Sequence, residues 1–372
     1  MKTVSEILKE TNLPALQDRE SMVKLLMENE YGYMPEVSYE ITVSEAKKLE
    51  GRYCCGKAAL SRVEFTVTTE TASHTFPVWR LLHDDGKKHP FFVFINFRGN
   101  APDYYYPVEE IVERGFDVLS FNYNDVCKDN SDFTNGIAGM FMPNGQDKPN
   151  TCGKITLWAW AASRVMDYAQ TLPSLDLDNG AVIGHSRLGK TALVAGMLDE
   201  RFKYVFSNDS GCSGAALARG NSGLPGQVNY DPDNIYNYER NFDLGETIRD
   251  IMMAVPYWFC KNYEKYVTTN MPEGFDQHYL LSSIAPRYAY VASASLDAWA
   301  CPDSEFMCCV AASEAYKAMG MTGLVHNEEM PGDDITLHEG NIGYHRRIGN
   351  HFLSRVDWNR YMDYIELHMQ DK

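Results

Sequence analysis

The run Gly180-Ala181-Val182-Ile183-Gly184-His185-Ser186-Arg187-Leu188-Gly189-Lys190-Thr191 decides how this chain folds. Its first four residues read as a strand buried on both faces. The residues from about Leu188 to Leu198 read as a helix. The turn between them is sharp, so backbones approach closely, and Gly184 and Gly189 supply the lack of bulk. Ser186 therefore stands where a strand ends and a helix begins. The helix aims backbone N–H groups at any oxyanion forming beside that serine. A nucleophilic serine occupies this position in a large group of α/β enzymes. The match to their G-x-S-x-G pattern is imperfect, because Leu188 stands two residues after the serine and Gly189 comes one residue late. Two other readings compete. A serine opening a helix is often only a cap. The segment Gly184 to Thr191 also fits G-x-x-x-x-G-K-T, the spacing of a phosphate-binding loop. Against that reading, several strands precede this one and no acidic partner strand is evident.

Working outward, Phe91-Phe92-Val93-Phe94-Ile95-Asn96-Phe97 is another continuously apolar run, and Asp117-Val118-Leu119-Ser120-Phe121 is a third. Helical stretches at 107–114 and 155–170 separate these strands. Tyr204-Val205-Phe206-Ser207-Asn208 and Tyr288-Ala289-Tyr290-Val291-Ala292 read as two more. Alternating strands and helices imply right-handed crossovers and a mostly parallel sheet with helices on both faces, a three-layer sandwich. Sites in such sheets lie at the carboxyl ends of the strands. Residues 39–80 alternate in strand fashion between turn signals, which predicts an antiparallel entry to the sheet. The first 33 residues read as helical. Neither a repeat nor a Pro/Ser-rich linker interrupts the 372 residues, so one domain is expected, with an entry region over about 1–90.

The bulk numbers exclude some partners. With 34 Lys+Arg against 51 Asp+Glu, the net charge is −17. Nucleic acid and anionic membranes need clustered positive charge, so neither is expected as a partner. Apolar runs of about 18 residues and an apolar leader segment are both lacking, which sets the expectation of a cytoplasmic protein. The nine cysteines include no C-x-x-C pair and read as free thiols in a reducing compartment.

If Ser186 attacks an acyl group, it needs a base and an acid to orient that base. The order along such chains is serine, acid, histidine. His351, in the polar stretch Gly349-Asn350-His351 ahead of a C-terminal helix (358–368), suits a loop-borne base. His345 and His338 compete with it. Two acids follow buried strands: Asp209 after 204–208 and Asp297 after 288–292. Arg187 follows the serine directly, where a cation can stabilise an oxyanion. Lys190 lies one helical turn on, on the same face.

These residues together carry a resemblance. Gly184-His185-Ser186-Arg187-Leu188-Gly189-Lys190 resembles the G-x-S-R-x-G-K turn of the glucuronoyl esterases, a carbohydrate esterase family with the α/β-hydrolase fold. Further matching motifs follow in order: Asn96-Phe97-Arg98-Gly99-Asn100, Ser207-Asn208-Asp209-Ser210-Gly211-Cys212-Ser213-Gly214, Ile284-Ala285-Pro286-Arg287, Ser293-Ala294-Ser295-Leu296-Asp297-Ala298-Trp299, and Gly343-Tyr344-His345-Arg346-Arg347 with His351 beyond. The resemblance runs from about Glu28 to Trp358. It implies an α/β-hydrolase fold, Ser186 as nucleophile and His351 as base. Asp297 is the preferred orienting acid and Asp209 a candidate second acid, because members of the family carry the acid at either strand end. It implies Arg187 at the oxyanion, and Lys190, Glu246 and Trp299 against the sugar. The implied substrate is an ester of a (4-O-methyl)glucuronate on xylan or its fragments, with acetylated sugar as the nearest alternative. A cofactor or metal is not implied. Residues 219–244 depart from the family and read as an insertion able to roof the site.

Overall fold

The computed structural model describes residues 2–49, 53–219 and 245–369; all but the first residue of the expected 219–244 insertion lie outside them. Among the described residues, eleven strands form one sheet: β1 (Glu40–Val43), β2 (Lys47–Lys48), β3 (Ala58–Thr68), β4 (Ser73–His83), β5 (His89–Asn96), β6 (Asp117–Asn122), β7 (Leu175–His185), β8 (Tyr204–Asn208), β9 (Tyr288–Ala294), β10 (Ile335–Leu337) and β11 (Ile342–Arg347). Their spatial order is β1-β3-β4-β6-β5-β7-β8-β9-β11-β10, with β2 beside β3. The run from β6 to β11 is parallel, and β4 joins it antiparallel. The antiparallel entry is the β1–β3–β4 edge.

Side-chain alternation divides the core into two layers. Phe91, Val93 and Ile95 of β5 face one side, with Val182 and Val205, and are covered by the helices Lys154–Ala169, Arg187–Leu198 and Pro302–Ala318. Phe92 and Phe94 face the other, with Ile183 and Phe206, under the helices Val108–Glu113 and Arg355–Met369. Trp358 docks the C-terminal helix there, meeting the rings of Phe92 and Phe94 edge-on at 5.1 and 5.3 Å. Each fully buried ring of this kind contributes about 1.5–3 kcal/mol. This is the α/β-hydrolase arrangement, helices on both faces of a largely parallel sheet.

Two expectations needed correction. The N-terminal region is not one helix: Val4–Thr11 and Arg19–Leu26 are separate, and the second runs into a wider turn at Met27–Tyr31. The stretch between the two contains Pro14, which has no N–H to continue a helix. The strands β10 and β11 are unannounced in the sequence. Ile342–Arg347 reads as polar (Ile-Gly-Tyr-His-Arg-Arg), yet every residue is buried.

The register carries the site. His185 of β7 pairs with Asn208 of β8, Asn208 with Ala292 of β9, and Ala294 with Arg347 of β11. The loops that follow these four adjacent parallel strands carry Ser186, Asp209, Asp297 and His351. All four therefore emerge along one edge of the sheet.

Candidate active site

Ser186 has φ 58° and ψ −128°, a left-handed backbone that costs a non-glycine residue about 1–3 kcal/mol. Its surroundings hold it there. Its N–H donates to Asn208 O at 2.8 Å, and its own carbonyl accepts from the N–H groups of Gly189 and Lys190. The glycine spacing of the motif now has its reason. A Cβ on Gly184 would stand 2.0 Å from Leu188 O. A Cβ on Gly189 would stand 3.1 Å from Asn208 O and 3.0 Å from Ser207 Oγ. The second glycine falls at Gly189 because the helix meets β8 there, not one residue earlier.

His351 is about two-fifths exposed and accepts no burial among the core; its Nδ1 lies 2.5 Å from Asp297 Oδ2. Its ring lies against His185, the residue before the serine, with centroids 4.4 Å apart. His185 is buried, and that burial, reinforced by neighbouring His351, pushes its imidazole down to about 3. It is therefore neutral, with Nδ1 on Asn208 Oδ1 at 2.6 Å. Asp297 closes a short turn after β9, where it also accepts from Ala300 N. The competing histidines sit elsewhere. His345 is buried in β11, with Nε2 2.8 Å from Asp357 and Nδ1 3.0 Å from Tyr290 Oη. His338 reaches the same hydroxyl at 2.7 Å.

Both acids come to the same place. Asp209, Asp297 and His351 each offer a ligand atom within 4.8 Å of the others, the donor set of a small metal site. His351 is engaged with Asp297, and Asp209 Oδ2 with Arg347 at 3.3 Å and Phe352 N at 3.4 Å, while Asp209 Oδ1 is buried with no hydrogen-bond partner among the described residues. Burial, with the nearby Asp357 and Glu305 charges, pushes the Asp209 carboxyl well above the usual range, while Arg347 opposes the shift.

Arg187 is held by groups outside the histidine–acid pair. It forms an ion pair with Asp129 and lies over the rings of Phe97 (5.4 Å) and Trp258 (4.8 Å). Asp129 is itself fixed by Trp258 Nε1 at 2.6 Å and Tyr123 Oη at 3.0 Å. Lys190 is buried, donates to Ser210 O and lies 3.8 Å from Glu246. Glu246 accepts from Trp299 Nε1 at 3.2 Å, and its N–H donates to Trp299 O at 2.8 Å. The three residues expected against the sugar thus form one connected group. The phosphate-loop reading fails on this geometry. The lysine is committed to Ser210, Thr191 Oγ1 donates to Arg187 O, and the N–H groups of Ser186, Gly189 and Lys190 are bonded to backbone carbonyls.

Sequence reasoning missed Asp129, Arg347 and Asp357. Asp129 had one available signal, a carboxylate in the loop following β6. The other two are visible only as a pair in space. Among the described residues, no helix is long and apolar enough to cross a membrane.

The chain is similar to several known proteins. The sequence model described as "Glucuronyl esterase, fungi" matches residues 65–320. The carbohydrate esterase MZ0003, from an unknown prokaryotic organism, is 35% identical over 264 residues, which are 70% of this chain and 56% of that protein. The 4-O-methyl-glucuronoyl methylesterase of Hypocrea jecorina is 29% identical over 72% of this chain and 50% of its own length. The chain thus spans about half the length of the curated relatives it matches. A solved promiscuous CE15 esterase from a marine bacterial metagenome superposes with a TM-score of 0.80 at 28% identity, covering 94% of this chain and 91% of the other. The glucuronoyl esterase of Solibacter usitatus gives 0.80 at 26% identity over the same shares.

Proposed function

Because this chain belongs to the glucuronyl esterase family, we propose that it is a serine carboxylic-ester hydrolase that cleaves glucuronate esters carried on xylan-type sugars. The observation that carries the reading is the His351–Asp297 pair, seated on His185 beside a serine with left-handed backbone.

The steps follow from the geometry. Asp297 accepts the Nδ1–H of His351, which leaves Nε2 as the basic nitrogen. That nitrogen takes the Ser186 hydroxyl proton as Oγ bonds to the ester carbonyl carbon. The oxyanion forms at the start of the helix Arg187–Leu198, where backbone N–H groups and the Arg187 guanidinium supply positive charge. Asp129 and the Phe97 and Trp258 rings hold that guanidinium ready. The carbonyl re-forms, the alcohol leaves with the proton from His351, and an acyl-serine remains. Water gives a proton to His351 and attacks the acyl carbon, releasing the uronic acid and restoring Ser186.

Lys190, Glu246 and Trp299 are proposed to bind the acyl half. The lysine ammonium and the glutamate carboxylate suit sugar hydroxyls, and an indole face suits sugar C–H surfaces. The name of the Hypocrea jecorina relative supports a 4-O-methyl-glucuronoyl acyl group, with methanol as one alcohol released. Deacetylation of sugars is the second reading, favoured by the promiscuity ascribed to the marine esterase. All nine cysteines are free thiols, which supports a reducing compartment such as the cytoplasm. There the substrate would be imported oligosaccharide. Release of methanol from methyl glucuronate, lost in Ser186→Ala with the fold retained, tests the reaction; a Ser186→Ala protein that still turns over refutes it.

A further inference from the structure

The esterase reading assigns no task to Arg347, a buried cation beside the histidine loop. Arg347 closes β11, four residues before His351, and its side chain is almost wholly buried. Its Nη2 donates to Asn350 O at 3.0 Å and to Phe352 O, the two carbonyls that flank His351. The same nitrogen reaches Asp209 Oδ2 at 3.3 Å. Its Nε donates to both oxygens of Asp357, at 2.9 and 3.0 Å.

Asp357 is in turn anchored from three sides. It accepts from His345 Nε2 at 2.8 Å, Ser354 N at 2.6 Å and Ser354 Oγ at 2.7 Å. Burial pushes its carboxyl up, but the His345 hydrogen bond and the Arg347 charge outweigh burial and hold it below the usual range. Asp357 therefore stays an anion at the start of the C-terminal helix, a fixed counter-charge for the guanidinium.

The backbone completes the frame. Ser295 N donates to Arg347 O and Leu296 N to Gly349 O, both at 2.9 Å, so the loop before Asp297 is stitched to the loop before His351. Gly349 has φ 148°, and a Cβ there would stand 2.4 Å from Arg347 Nη1. The glycine leaves room for the guanidinium to lie under the loop.

We propose that Arg347 is a positioning residue for the hydrolytic reaction: it clamps the carbonyls on both sides of His351 and ties that loop to Asp209 and, through Asp357, to the C-terminal helix. This rests on the esterase reading. A flexible loop would let the imidazole wander from Ser186, and a misplacement near 1 Å can cost on the order of 10²-fold in rate. An arginine suits the task because its fixed fork serves several acceptors at once; a lysine ammonium is a point charge that cannot.

The test compares Arg347→Lys and Arg347→Met with wild type. Three quantities are measured: kcat and KM on methyl glucuronate, the rate at which a fluorophosphonate labels Ser186, and Tm. Labelling needs no ester substrate, so it still reports on Arg347 if the acyl assignment is wrong; absent turnover with intact labelling would indict that assignment alone. The expected result is a kcat and a labelling rate both lowered on the order of 10²-fold in Arg347→Met, with KM within about threefold of wild type. Arg347→Lys recovers most of the Tm lost in Arg347→Met but not the labelling rate, because it restores a charge beside Asp357 without the fork. Should Arg347→Met not fold, Arg347→Lys with near-native Tm and depressed labelling still supports the proposal. Labelling that simply follows Tm in both variants, or a raised KM at unchanged kcat, overturns it.

Discussion

Two carboxylates reach His351, and replacing each by its amide separates their roles. Asp297 makes the direct contact, 2.5 Å from Nδ1. An amide there presents the wrong group to Nδ1–H and favours the unproductive tautomer; in the trypsin-type triad the corresponding change costs about 10⁴-fold in kcat. Asp209 acts through space. A unit charge within 4.8 Å of the imidazole is worth roughly 3 kcal/mol at an effective dielectric of 20. Arg347, 3.3 Å from Asp209, offsets much of that, and burial raises the Asp209 carboxyl and thins its charge. About 1.4 kcal/mol or less is left, a factor of about ten. Asp297→Asn is therefore expected to lose about 10³–10⁴ in kcat, and Asp209→Asn at most about tenfold. Initial rates on methyl glucuronate, with Ser186→Ala as the floor, measure both. An Asp209→Asn enzyme more damaged than Asp297→Asn would refute the assignment of Asp297 as the orienting acid.

Other outcomes follow from the same structure. Gly184→Ala puts a Cβ 2.0 Å from Leu188 O and should cost about 1–3 kcal/mol, seen as a lowered Tm and reduced labelling of Ser186. Lys190→Met and Trp299→Ala should raise KM for a glucuronate ester about tenfold or more while fluorophosphonate labelling stays within a few-fold of wild type, since both act on the acyl half. Glu30 is fully buried, and that burial pushes its carboxyl up to about 8 against an ordinary 4.5. The folded chain then keeps a proton that the unfolded chain releases, so this group's contribution to stability is full below about pH 4.5 and is lost as pH rises towards 8. The slope is at most about 1.4 kcal/mol per pH unit. Glu30→Gln should flatten the pH dependence of urea unfolding over that window, and an unchanged slope would count against the buried-acid reading.

Much of the fold was legible because β5, most of β6 and residues 180–183 of β7 are apolar runs bounded by turn signals, the pattern a doubly covered strand must have. β10 and β11 were not legible. The polar residues of Ile342–Arg347 are buried because their charges are met by partners distant in sequence: His345 and Arg347 by Asp357, Arg346 by Asp303. No local periodicity signals such a pairing. The site divides in the same way. Ser186, His351 and Asp297 stand at loop positions that chain order admits, and the family resemblance picks them out from Asp209, His345 and His338. Asp129 was passed over because nothing in the stretch around it marks it as the partner of Arg187, 58 residues on. The glycine spacing became intelligible only when β8 was seen to pack against Gly189.

The central claim concerns which ester Ser186 attacks. The direct measurement is kcat/KM on methyl 4-O-methyl-glucuronate and on an acetylated xylo-oligosaccharide, side by side, for wild type and Ser186→Ala. The account predicts turnover of the uronate ester at least about tenfold more efficient than deacetylation, with both abolished in Ser186→Ala. Efficient deacetylation with the uronate ester left intact would contradict it.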